Sequence, residues 1–136
     1  MNLKQLDHVN LSVANFAESA DWYRRVFGFE IVEQGVTENR PWGVLRSGEA
    51  LLCIYERPDL RFQDYRTHFE KGYHAIAHVG FRITDREAWE ATIHREKVRC
   101  VHANWRYPHS TSWYVVDPTG WEIEVALWDD DTLRFG

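Results

Sequence analysis

One strand is written twice in this chain. Leu6-Asp7-His8-Val9-Asn10-Leu11-Ser12-Val13 lies over Ile76-Ala77-His78-Val79-Gly80-Phe81-Arg82-Ile83 without a gap. The odd-numbered positions of both copies are apolar, Asp7 excepted. Side chains alternate between the two faces of a strand. One face of each copy is therefore greasy, and His8 and His78 project from the other. A chain carrying the same strand twice is constrained to build two similar modules.

The same programme continues after each copy. Behind a first strand over 6–13, Asn15 and Glu18 form a capping-box pattern. Phe16, Ala20, Tyr23 and Phe27 then recur at helical spacing, and Gly28 stops the helix. Strand-like runs come at Phe29–Glu33, Trp42–Arg46 and Leu51–Tyr55, separated by Gly35, Pro41 and Ser47-Gly48. The stretch from Arg57 to Tyr73 is polar and aromatic without a period, which reads as a linker with room for a short helix and as a candidate lid over a pocket. The second round has a strand at 75–83 and a helix capped by Thr84, with Glu87 at N3, carrying Ala88, Trp89 and Ile93. Strands near 98–104, 112–116 and 121–127 come next, the last two split by Asp117-Pro118-Thr119-Gly120. The expected fold class is α+β, two βαβββ modules forming a curved sheet around a central cavity. The modules span about 1–57 and 74–136 of a single domain, with a linker over about 58–73.

Several function classes fall away on composition. With a net charge of −5 and a pI near 5.8, the chain lacks the basic footprint of a nucleic-acid binder. No apolar run approaches the ~20 residues of a membrane helix, and Asp129-Asp130-Asp131 argues against an anionic membrane surface. Met1-Asn2-Leu3-Lys4-Gln5 lacks the hydrophobic stretch of a signal peptide, so a cytoplasmic location is expected. Cys53 and Cys100 form no CxxC pair and read as reduced thiols. Seven Trp, seven Phe and six Tyr can fill a core, line a pocket or build a subunit contact.

The non-greasy strand faces carry the chemistry. Even positions read His8, Asn10, Ser12, then His78, Gly80, Arg82, then Glu122 and Glu124, while Trp121, Ile123, Val125 and Leu127 take the apolar face of the last strand. Burying such groups unpaired costs ~1–3 kcal/mol each. A divalent cation held by His8, His78 and Glu124 offsets that cost and leaves positions open for water or substrate. The plainer alternative is two ordinary hydrogen-bonded histidines and a Glu124–Arg82 ion pair. The shared register of the two imidazoles favours the metal. His74 reads as a strand-mouth residue, and His68, His94, His102 and His109 as surface or rim.

Beyond the strands, Trp22-Tyr23-Arg24-Arg25-Val26-Phe27-Gly28-Phe29 and the closing Trp113-Tyr114-Val115-Val116-Asp117-Pro118-Thr119-Gly120-Trp121-Glu122-Ile123-Glu124 resemble the vicinal-oxygen-chelate superfamily. This group includes glyoxalase I, fosfomycin-resistance transferases, extradiol dioxygenases and the metal-free bleomycin-resistance proteins. The resemblance implies paired βαβββ modules in a homodimer, with a divalent ion (Fe, Mn, Zn or Ni) chelating two neighbouring oxygens of a small-molecule substrate. The positions matching the ligands are His8, His78 and Glu124.

Its branches differ in what they match. The fourth ligand of glyoxalase I falls at Cys53, read here as a small buried hydrophobe. Leu51-Leu52-Cys53-Ile54 and Ser112-Trp113-Tyr114 resemble the fosfomycin group, but Asn104-Trp105-Arg106-Tyr107-Pro108-His109-Ser110 lacks its phosphonate-binding lysine. Extradiol dioxygenases share the two-histidine, one-carboxylate set and a pocket tyrosine at the place of Tyr114, and their catalytic histidine would come from His68 or His74. The reading is therefore a metal-dependent enzyme with dioxygenase-like chemistry. Tyr114, His68 and His74 are its catalytic candidates, and Asn10, Trp42, Arg82, Trp105, Arg106, Tyr107 and His109 are its substrate-side candidates. The alternatives are a drug-binding protein of the bleomycin-resistance type, a glyoxalase I-like lyase and a fosfomycin-resistance-like transferase.

Overall fold

Asn15 and Asp85 each accept a backbone N–H three residues on, at 2.9 Å, and so start the two longer helices at equivalent points of a repeated unit. The structure, a computed structural model, describes residues 3–135. The first unit contains β1 (Val9–Val13), α1 (Phe16–Phe27), β2 (Glu30–Thr37), β3 (Arg40–Ser47) and β4 (Ala50–Glu56). In the second, a short helix α2 (Tyr65–Glu70) precedes β5 (Val79–Ile83), α3 (Arg86–Glu96), β6 (Cys100–Tyr107), β7 (Ser110–Val116) and β8 (Glu122–Trp128). Each unit builds its own four-stranded sheet, in the orders β1-β4-β3-β2 and β5-β8-β7-β6. The first strand of each lies parallel to the last, and the other pairings are antiparallel. The fold class is the α+β, twice-βαβββ architecture expected. The chain divides into compact units Met1–Arg61 and Phe62–Gly136, so most of the expected linker, α2 included, goes with the second.

Two local expectations need correction. The opening strands are shorter than 6–13 and 75–83, because parallel pairing begins only at Val9↔Leu52 and Val79↔Ile123. His8 and His78 are thus the residues immediately before their strands, still in matching register. The cap of α3 is Asp85, not Thr84: the Asp85 carboxylate takes the Ala88 N–H, which moves Glu87 one place nearer the helix start. The cap of α1 is Asn15, as the sequence indicated, and Gly28 ends that helix in the left-handed region (φ 68°) that glycine adopts without strain.

Each sheet buries one face beneath its helix. Leu11, Val13, Leu45, Leu52 and Ile54 pack in the first unit together with Tyr23 and Val26 of α1. Val115, Ile123, Val125, Trp113 and Trp89 of α3 do so in the second. Burying side chains of this size stabilises by roughly 1.5–3 kcal/mol each. The buried Asp117 carboxylate accepts the N–H groups of Thr119, Gly120 and Trp121 at 2.8–2.9 Å. That turn sets the β7–β8 register, which places Glu124 opposite Tyr114.

Candidate metal centre in the second module

Glu124 lies mid-strand in β8, with Gly80 of β5 on one side and Tyr114 of β7 on the other. Its two carboxylate oxygens have different partners. Oε2 is 3.0 Å from His78 Nε2, and Oε1 accepts the Ser112 hydroxyl at 2.7 Å. His78 Nδ1 lies 4.0 Å from Glu122 Oε1, so this imidazole stands between two carboxylates of one strand face. Burial pushes the Glu122 carboxyl up, against the opposing pull of the His78 and His102 rings.

Tyr114 completes the cluster. Its hydroxyl is 2.8 Å from the Tyr107 hydroxyl, and its ring meets the edges of the His78 and His102 rings at 5.5 and 6.1 Å. Burial, then the Tyr107 hydrogen bond and the Glu124 charge, hold the Tyr114 phenol well above its ordinary value. It stays protonated and keeps a hydrogen to donate. Beside it lies a cavity of about 390 Å³ bordered by Gly80, Arg82, Tyr107, Glu124 and Trp128. Gly80 matters here because a Cβ at that position would enter open space next to Glu124.

The remaining candidates are distributed as follows. In the first unit, the exposed His8 ring gives Nδ1 to Asp7 Oδ2 at 2.7 Å, the arrangement that fixes a tautomer and leaves Nε2 for a ligand. Asn10 pairs in register with Cys53, the same relation that Gly80 has to Glu124. Cys53 therefore occupies the repeat position of Glu124. Burial and then the nearby Asp7 charge raise its thiol, so it remains protonated. Trp42 stacks on Tyr55 with centroids 6.0 Å apart.

In the second unit, Arg82 gives its guanidinium to the Asp130 carbonyl and to Asp131, and Glu124 takes His78 and Ser112 rather than Arg82. Arg106 holds Asp129 through two bonds of 2.7 and 2.6 Å. Trp105 is exposed on β6, and the His109 carbonyl accepts the Asp129 N–H. His68 sits on α2 and His74 on the exposed segment after it. Besides His78, the histidine ring against Tyr114 is His102, which pairs with it across β6 and β7. Among the described residues, no group of three or more His, Cys, Asp or Glu side chains is gathered as a metal site.

The donor chemistry of the second unit nevertheless fits a divalent ion. An imidazole nitrogen and a carboxylate oxygen converge at 3.0 Å, and the spare oxygen is already oriented by a hydroxyl. Sequence reasoning missed Ser112 as the partner of Glu124, although its parity with Tyr114 along β7 carried the signal. It also missed Trp128 and Phe135 at the cavity, and the tail beyond β8 offered no periodicity from which to find Phe135.

Two βαβββ units, with a histidine before the first strand of each and a glutamate in the last strand, define a class of paired-module proteins. The chain belongs to the Glyoxalase/Bleomycin resistance protein/Dioxygenase superfamily, whose family model matches residues 5–125. Among solved structures, a glyoxylase/bleomycin resistance protein/dioxygenase domain from Frankia sp. EAN1pec is similar, with 13% identity, TM-score 0.79 and 96% of each chain covered. A glyoxalase family protein from Enterococcus faecalis aligns at 17% identity and TM-score 0.78, covering 93% of this chain and 99% of its own. A mutant of the fosfomycin resistance protein FosX from Listeria monocytogenes, complexed with Mn(II) and 1S,2S-dihydroxypropylphosphonic acid, aligns at 18% identity and TM-score 0.71, covering 97% and 96%. At these identities the likeness is one of fold. No helix among the described residues is long and apolar enough to cross a membrane.

Proposed function

We propose that this protein is a divalent-metal-dependent enzyme acting on a small molecule that presents two neighbouring oxygens, with His8, His78 and Glu124 as ligands. The 3.0 Å approach of His78 Nε2 to Glu124 Oε2, with Ser112 holding the other oxygen, carries the reading. The similar FosX fold with Mn(II) bound supports it. A divalent ion in this place acts as a Lewis acid on a bound oxygen.

The chain's own residues do the rest. Ser112 keeps one lone pair of Glu124 occupied and so directs the other toward His78. Glu122, with its Oε1 4.0 Å from His78 Nδ1, sets a second carboxylate on the far side of that imidazole. Tyr114 donates a hydrogen bond to a substrate oxygen in the adjoining cavity, with the Tyr107 hydroxyl 2.8 Å away steadying it. His102, whose ring meets the Tyr114 ring edge-on at 6.1 Å, joins His68 and His74 as a candidate base. Dioxygenase-like chemistry is the preferred reaction, and the two modules are taken as one functional domain of a cytoplasmic homodimer, which sedimentation analysis checks.

Metal analysis of freshly purified protein is the test. About one divalent ion per chain is expected, falling strongly in both His78→Ala and Glu124→Gln while the circular dichroism is kept. Metal content that is substoichiometric and indifferent to both substitutions would leave a non-catalytic binder of the bleomycin-resistance kind.

A further inference from the structure

The cavity beside Glu124 has a wall made by the tail after β8, and the arginine on its border, Arg82, is already engaged, as are the other arginines that the tail meets. Arg106 is held by Asp129, Arg134 by Asp130 and Arg82 by Asp131. Arg82 is fixed further by the Asp130 carbonyl at 2.9 Å and by the Trp128 ring, whose centroid lies 4.5 Å from its guanidinium carbon. The three consecutive aspartates thus cap three arginines, and the tail they belong to is latched back against β5. Thr132 N–H closes a turn on Asp130, and Phe135 then meets the Trp128 ring edge-on at 5.1 Å.

The consequence is a pocket rich in rings and poor in available positive charge. Phe81, Tyr107, Tyr114, Trp128 and Phe135 border it, with a volume of about 390 Å³. That is room for a one- or two-ring compound, since small-molecule sites run from roughly 300 to 1,000 Å³. Among the described residues, the negative charge bordering it is the carboxylate of Glu124. A phosphate, phosphonate or carboxylate entering here meets that repulsion and finds the bordering Arg82 already engaged by the tail. A flat neutral ring meets apolar and aromatic walls, with the Tyr107–Tyr114 hydroxyl pair for its oxygen.

We propose that the second module's pocket selects an uncharged, flat ring compound bearing hydroxyl or carbonyl oxygens, and that Phe135 and the Arg82–tail latch determine this selectivity. The proposal rests on the same site as the functional reading, but ring binding itself does not depend on a metal. The test uses the whole chain, as purified and after EDTA treatment, in equilibrium dialysis against 2-naphthol and 2-naphthyl phosphate. Naphthol is expected to saturate one site per chain, with the phosphate weaker by about tenfold or more, since about 1.4 kcal/mol of discrimination suffices for a factor of ten.

Phe135 is largely exposed, so Phe135→Ala leaves the core intact, and it should weaken naphthol binding several-fold. Asp131→Asn frees Arg82 from that carboxylate and should raise affinity for the phosphate while leaving naphthol little changed. Phosphate binding as tight as naphthol binding overturns the proposal. So does absent naphthol binding, or binding indifferent to Phe135→Ala. Naphthol binding that persists in a protein purified without metal sinks the metal reading and leaves this one standing. The converse, a metal-loaded protein that prefers the phosphate, separates the two the other way.

Discussion

The two modules share a topology and invert their packing. In the first, Phe16 at the start of α1 lies against Gly43 of β3, so closely that a Cβ there would stand 2.8 Å from the ring. At the equivalent place in the second, Arg86 opens α3 and lies over Trp113 of β7, 5.5 Å from the ring centroid. One module puts the bulk on the helix and the other on the sheet. On the opposite face the central strands differ as well. Trp42 is flanked by Gly35 and Tyr55, while its counterpart Ser112 is flanked by Trp105 and Ala126. Moving the large ring from the central strand to the edge strand makes room beside Glu124 and leaves a hydroxyl within reach of its carboxylate. A repeated fold can therefore keep its backbone register and still dedicate one copy to chemistry.

The contrast between modules breaks first at Trp113. This side chain is 1% exposed, and Trp113→Ala should destabilise by ~3–5 kcal/mol in urea unfolding, because Arg86 is too polar to fill the void. A cost below about 1 kcal/mol would mean the core of the second module collapses around the loss. Gly43→Ala is the matching test in the first module. The added methyl meets Phe16 at 2.8 Å and the Glu33 carbonyl at 3.2 Å, so a cost of ~1–3 kcal/mol is expected. Phe16→Ala should relieve part of it in a double-mutant cycle, and strict additivity would show that the Phe16–Gly43 contact contributes nothing.

At the site, Ser112→Ala should lower metal affinity by about 10–100-fold, the range for a partner that orients a ligand. Cys53→Ala, at the repeat position of Glu124, should leave metal content unchanged. Competitive chelator titration reads both, and metal loss in the Cys53 variant would restore a fourth ligand. The smallest effects test the sameness of the modules. Asn15→Ala and Asp85→Ala should each cost ~1 kcal/mol, and Thr84→Ala nearly nothing. A larger loss for Thr84→Ala would return the cap to the residue that the spacing first suggested.

Much of this is legible in the sequence alone. Period-two alternation locates the buried faces of β1, β5 and β8, because burial on one side of a sheet forces it. Turn residues mark the breaks between strands, and the gapless overlay of the two openings shows two modules of one design. The same overlay puts His8 and His78 in equivalent places, while the match of Cys53 to Glu124 comes from strand pairing. It errs where competing signals lie one residue apart, as with Thr84 and Asp85, and where strand ends depend on the length of a partner strand, as at Val9 and Val79.

What only the tertiary structure decided is which polar groups satisfy one another. Arg82 and Glu124 share a face and opposite charge, yet Glu124 takes His78 and Ser112 while Arg82 takes the tail. His102 reads as a rim residue in the sequence, and β6–β7 pairing sets it beside Tyr114. Local sequence determines periodicity and caps because those interactions span a few residues. Partner choice among side chains far apart in the chain depends on register and on the path of a non-periodic tail, which no short-range pattern encodes.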